Sequence, residues 1–126
     1  MFSLSNLFAP KEPVWVLNDE TLSLVRSIEE IAKQCDLHVS LGGSVLHKGK
    51  SFKDLDLFVY PHTMDAITYR DLHCFADGLR ELGITGWSER SLVTVTGYEV
   101  RRVFFTAHHN GRRIEFFILN CPENID

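Results

Sequence analysis

Residues 100–119 read VRRVFFTAHHNGRRIEFFIL, two alternating runs joined by Asn110-Gly111. Asn-Gly between such runs is a strong hairpin signal, because a tight type I′ turn needs two residues that tolerate positive φ. A two-residue turn also fixes the register, setting His109 opposite Arg112, Ala107 opposite Ile114, Thr106 opposite Glu115 and Phe104 opposite Phe117. Side chains alternate across a strand, so Val103, Phe105, Ala107, Ile114, Phe116 and Ile118 share one face, and none of them is polar. Arg102, Phe104, Thr106, His108, Arg113, Glu115 and Phe117 share the other. The apolar face requires a cover of helices, which leaves the polar face for chemistry.

The upstream sequence supplies that cover. Leu24, Val25, Ile28, Ile31, Ala32 and Cys35 recur at helical spacing and predict a helix over residues 20–35, capped by Asn18 or Asp19. Leu72, Phe75, Leu79 and Leu82 predict a second over 64–82, with Thr63 as N-cap and Gly83 as its end, slightly weakened by Gly78. Strands are predicted over 37–41, 54–60 (stopped by Pro61) and 91–96, with a loop over 42–53. The order is α-β-β-α-β-β-β, which predicts a two-layer α+β fold: a mixed β-sheet with two helices packed on one face.

At 126 residues, 44% apolar and 24% charged, the chain has the length and composition of one domain, with residues 1–17 read as an N-terminal arm. A net charge of −4 argues against binding nucleic acid or anionic membrane through bulk charge. The three cysteines, Cys35, Cys74 and Cys121, form no CxxC, so neither a disulfide framework nor a thiolate zinc site is expected, and a reducing, cytoplasmic setting fits. No apolar run reaches the roughly 20 residues of a membrane span, and the first ten residues make a poor signal peptide.

Alternation in the 54–60 strand puts Leu55, Leu57 and Val59 under the helices and Asp54, Asp56, Phe58 and Tyr60 on the open face. Asp54, Asp56 and Glu115 then emerge together from distant parts of the chain. Clustered carboxylates repel one another, so a hard cation is implied; Mg²⁺ fits, and two ions can clamp an in-line phosphoryl displacement. Gly42 and Gly43 allow close backbone approach to a ligand, and Ser44 adds a hydroxyl. Lys48, Lys50 and Lys53, three of the five lysines, stand just before the aspartates, concentrating positive charge where polyphosphate would sit.

Leu41-Gly42-Gly43-Ser44, nine residues, then Asp54-Leu55-Asp56-Leu57 resembles the signature of DNA polymerase beta-like nucleotidyltransferases, and the small size is most similar to the minimal members. Glu115 resembles their third carboxylate. The resemblance implies that Gly43 and Ser44 bind the triphosphate of an NTP, that Asp54 and Asp56 hold two Mg²⁺ ions, and that Glu115 completes one metal site and helps activate the acceptor hydroxyl. Two positions depart from the pattern: Lys53 stands where Ser is frequent, and Glu115 where Asp is more usual. With seven residues after Leu119, a protein or nucleic-acid acceptor must be held by this domain, a dimer mate or another protein. Small members also occur as antitoxins beside a helical toxin, so a partner-binding module with weak or no catalysis is the alternative.

Plainer readings stand beside these. Glu115 reads equally as an exposed carboxylate paired with Arg102 or Arg113, with Glu99 a rival for the third position. Lys48 and Lys50 read also as solvated loop charges. His108 and His109 point to opposite faces, which argues against joint metal ligation. Phe58, Tyr60, Phe104 and Phe117 make the open face partly apolar, as suits a covering nucleotide, partner or second copy of the chain.

Overall fold

Asn18 starts the first helix, α1 (Asp19–Gln34), by accepting the Thr21 amide N–H on its side chain at 2.9 Å, which satisfies one of the four unpaired donors of a helix start. The computed structural model from which this follows describes residues 12–63, 65–95 and 98–119, with the side chains of 89–104 left outside the description. Residues 1–11 of the expected arm lie outside it as well.

After α1 the chain forms β2 (Leu37–Gly42), a short helix α2 (Gly43–Lys48) and β4 (Asp54–Pro61). Two-residue strands β1 (Trp15–Val16) and β3 (Lys50–Ser51) pair antiparallel. The segment 42–53, expected as a loop, therefore contains a helix and a strand, both too short to leave a periodic signature. The second long helix is α3 (Tyr69–Arg80), five residues shorter at its start than expected. Thr68, not Thr63, caps it, in a reciprocal capping box with Asp71. Ile67 is buried in the approach to the helix and mimics a helical apolar position.

The remaining strands are β5 (Ile84–Val95), β6 (Tyr98–His109) and β7 (Arg112–Ile118). One five-stranded sheet results, in the order β2-β4-β7-β6-β5. All its neighbours run antiparallel except β4 and β7, which are parallel, so the sheet is mixed. The β6–β7 register is the one required by Asn110-Gly111, with His109 opposite Arg112 and Phe104 opposite Phe117. β5 starts seven residues earlier than expected. Its register shifts between Thr85 and Ser88, around Gly86 at φ +75°, so a bulge interrupts the alternation that would have revealed the strand.

The fold is α+β, with three helices rather than two against the sheet. Leu55, Leu57, Val59, Ala107, Ile114 and Phe116 are fully buried on the covered face. Ile28 and Ala32 of α1 and Leu72, Phe75 and Leu79 of α3 join the same core, with Phe75 edge-on to Phe116 at 5.7 Å. Trp15 is also fully buried, and its indole N–H donates to the Arg113 carbonyl at 3.0 Å, which anchors β1 to the sheet. Thr106, assigned to the open face, is nonetheless buried. Cys35, at the end of α1, and Cys74, on α3, form a disulfide, contrary to the expectation from their spacing, because packing α1 beside α3 brings distant positions together. Among the described residues, no helix is long and apolar enough to cross a membrane.

Candidate metal centre

The parallel pairing of β4 with β7 sets Asp54 beside Arg113 and Asp56 beside Glu115. The alternate residues Leu55, Leu57, Ile114 and Phe116 are buried beneath the helices, so these polar side chains must leave on the open face. One carboxylate oxygen from each of Asp54, Asp56 and Glu115 lies within 4.8 Å of the others. The Asp54 side chain is 11% exposed and that of Glu115 20%. Two neighbouring aspartates and a glutamate about sixty residues later thus share one partly buried position that could hold a metal ion.

Arg113 is the counter-charge already present. Its Nε donates to Asp54 Oδ1 and its Nη2 to Asp54 Oδ2 at 3.1 Å, a two-pronged grip, while Nη2 also lies 3.9 Å from Glu115 Oε1. This contact was legible only as one of two candidate partners for Glu115, and its main engagement with Asp54 was missed. One guanidinium does not balance three acids. Burial raises the proton affinity of Asp56, with further increase from Asp54 and a decrease from Arg113. Glu115 is raised for the same first reason, then by Asp54 and Asp56. The hydrogen bond to Asp54 raises Arg113.

The glycine bend abuts this group. Gly42 is directly opposite Asp56 in the β2–β4 pair. Gly43 has φ +63°, and a Cβ placed on it would lie 2.1 Å from Asp56 Oδ2; one on Gly42 would lie 2.2 Å from the Phe58 ring. The backbone therefore reaches the carboxylates because both side chains are absent. Ser44 is exposed at the second position of α2. Ser51, which sequence reasoning missed, is buried, and its Oγ accepts the amide N–H groups of Lys53 and Asp54 at 3.2 and 3.1 Å, fixing the entry into β4.

The basic residues are more dispersed. Lys53 is exposed next to Asp54, Lys48 ends α2 at the opposite end from Gly43, and Lys50 sits in β3 with its ammonium 5.5 Å from the Phe52 ring centre. Phe58 and Phe117 stack at 5.3 Å beside the acidic group. His108 is exposed and His109 half-buried, while the side chains of Glu99, Arg102 and Phe104 lie outside the described residues.

The donor set fits a small hard cation. At a Mg–O distance of about 2.1 Å, adjacent ligands of an octahedron are about 3.0 Å apart and opposite ones about 4.2 Å, so a modest closing of the three carboxylates suffices. Comparison with known protein families and with characterised proteins finds no match.

Proposed function

We propose that the chain is a divalent-cation-dependent nucleotidyltransferase that moves a nucleoside monophosphate from an NTP to a hydroxyl of a protein or nucleic acid, in the manner of the DNA polymerase beta-like enzymes. The observation that carries this reading is the meeting of Asp54, Asp56 and Glu115 within 4.8 Å, with Gly43 backed directly against Asp56. In it, Asp54 and Asp56 hold two Mg²⁺ ions, with Glu115 completing one site. Such ions neutralise the charge that develops on the transferring phosphoryl group.

The chain's own groups do the rest. The Gly42-Gly43-Ser44 bend holds the triphosphate close to the carboxylates, and Lys53 adds positive charge beside them. The acceptor hydroxyl oxygen attacks the α-phosphorus, the bond to the β-phosphate oxygen breaks, and pyrophosphate leaves. The hydroxyl proton would pass to Glu115, whose carboxylate lies beside both aspartates. Arg113 occupies the same Asp54 oxygens that would hold the cation, so the two would compete for them.

The test is incubation with Mg²⁺, each α-labelled NTP and candidate acceptors, beside an Asp54→Ala, Asp56→Ala control. Mg²⁺-dependent labelling or nucleotide binding that disappears in the control is the expected result; neither in any NTP would sink the reading. A second reading, a partner-binding module of antitoxin type, draws on exposed apolar side chains at Val16, Leu17, Leu46 and Phe52, in and around β1, α2 and β3. It requires complex formation that survives loss of Asp54 and Asp56.

A further inference from the structure

The edge of the sheet remote from β5 carries a cluster that the acidic centre does not use. His38, on β2, lies with its Nδ1 at 2.8 Å from Glu29 Oε1, which reaches round from α1, and its Nε2 at 2.7 Å from His62 Nδ1. The Glu29 carboxylate also accepts the Val39 amide at 3.4 Å. His62 follows β4, and its own amide donates to the Asp36 carbonyl at 2.9 Å, which places its ring beside the start of β2. His38 is opposite Tyr60 whereas Gly42 is opposite Asp56, so the two clusters are separated by about 13 Å along the strand at ~3.3 Å per residue.

A carboxylate that accepts Nδ1–H fixes the histidine tautomer and leaves Nε2 with its lone pair free to bind. This carboxylate–histidine arrangement is the usual support behind an imidazole metal ligand. The second imidazole nitrogen faces the first at nearly the separation of two neighbouring ligands on one ion. At a bond of about 2.05 Å, ligands at right angles are about 2.9 Å apart and tetrahedral ones about 3.3 Å, so the 2.7 Å pair, which meets head-on with ring centres 5.0 Å apart, must open slightly and the His62 ring must turn to aim its nitrogen at a shared ion. His62 is exposed and has room to do so.

We propose that His38 and His62 form a binding site for an imidazole-seeking divalent transition metal of the Cu²⁺, Ni²⁺ and Zn²⁺ class, with Glu29 orienting His38. The ion replaces the hydrogen bond between the two rings and sits to one side of the line joining them, His62 then carrying its proton on Nε2. Two protein nitrogens leave the other coordination positions to water or to a ligand from another molecule. The site differs in chemistry from the all-oxygen centre, so the two discriminate between soft-accepting and hard cations.

The test is calorimetric titration of the full chain with Cu²⁺, Ni²⁺ or Zn²⁺ in excess Mg²⁺, with electron paramagnetic resonance of the Cu²⁺ form. One saturable equivalent is expected, with hyperfine coupling to two imidazole nitrogens. His38→Gln and His62→Gln should each weaken it at least 10-fold, and Glu29→Gln by about 10- to 100-fold. Asp54→Asn with Asp56→Asn should leave it intact. His62 is exposed, so its variant reports binding without a folding defect, which circular dichroism verifies. The proposal is overturned if no metal of the three binds saturably, if both histidine variants bind as the parent does, or if the aspartate variant loses the ion.

Discussion

Arg113 grips Asp54 with both Nε and Nη2, which puts a fixed positive group on the oxygens that a metal ion would use. The side chain and the ion therefore compete. Arg113→Gln should tighten Mg²⁺ or Mn²⁺ binding several-fold by calorimetry while lowering the stability of the metal-free protein by about 1–2 kcal/mol. That is the lower part of the range for charged hydrogen bonds, because Arg113 remains one-third exposed. Unchanged metal affinity would mean that the two do not share Asp54.

Raised proton affinities in Asp56 and Glu115 make stability depend on pH in a definite direction. With folded values above the ordinary 3.8 and 4.5, the folded state binds more protons than the unfolded chain across that window. Their contribution is full below the ordinary values and is lost as pH rises through the raised ones. Metal-free protein should thus weaken from this source between mildly acidic and neutral pH, and Mg²⁺ should restore stability at neutral pH but not where the acids are protonated. Urea midpoints from pH 4 to 8, with and without Mg²⁺, measure this. The Asp56→Asn, Glu115→Gln variant should flatten both responses, and an unaltered slope in it would contradict the assignment.

Two glycines of positive φ separate backbone strain from steric collision. Gly49, at φ +74°, has nothing within 4 Å of an added Cβ, whereas Gly43 would drive one into Asp56. Gly49→Ala should cost about 1–2 kcal/mol from the left-handed backbone alone and leave metal binding as it was. Gly43→Ala carries the same strain and displaces Asp56, so a drop in Mg²⁺ affinity of 10-fold or more is expected. Equal metal affinity in the two variants would refute the claim that the bend backs the carboxylates.

Trp15 ties the start of the described chain to the strand that carries Glu115. It is fully buried, donates to the Arg113 carbonyl and lies under the Arg112 guanidinium, 4.0 Å from ring centre to Cζ. Trp15→Ala should cost about 3–5 kcal/mol in chemical denaturation. Trp15→Phe keeps much of the ring but not the donor, and should cost about 1–2 kcal/mol.

The Cys35–Cys74 bridge closes a loop of sequence separation 39. Loop-closure entropy assigns such a cross-link up to about 4 kcal/mol. Reduction, or Cys35→Ser with Cys74→Ser, should lower the denaturation midpoint accordingly; equal stability of oxidised and reduced protein would show that the bridge does not constrain the unfolded chain.

What the sequence disclosed, and what it withheld, follows from the range of each signal. Asn110-Gly111 specifies a register locally, and the face assignments of Ile114, Phe116, Leu55 and Leu57 follow by alternation; all four are buried as that requires. Alternation also placed Asp54, Asp56 and Glu115 on one face, and the parallel β4–β7 pairing brings them within reach of one another. The start of β5 was hidden because Gly86 interrupts its period with a bulge, and the true cap Thr68 was obscured by buried Ile67 just before it. The disulfide, the Arg113–Asp54 contact and the His38–His62 pair depend on packing between elements far apart in sequence, where no spacing rule applies.

The strand that brings Glu115 to the aspartates is the central one of five, inserted between β4 and β6, yet it is the last described strand in sequence. A chain emerging from the ribosome would expose Asp54 and Asp56 on an unfinished strand edge before their third partner existed. The acidic group is thus incomplete until the strand carrying residue 115 has joined the sheet, so a truncated product lacking β7 would carry the glycine bend but not the three carboxylates together.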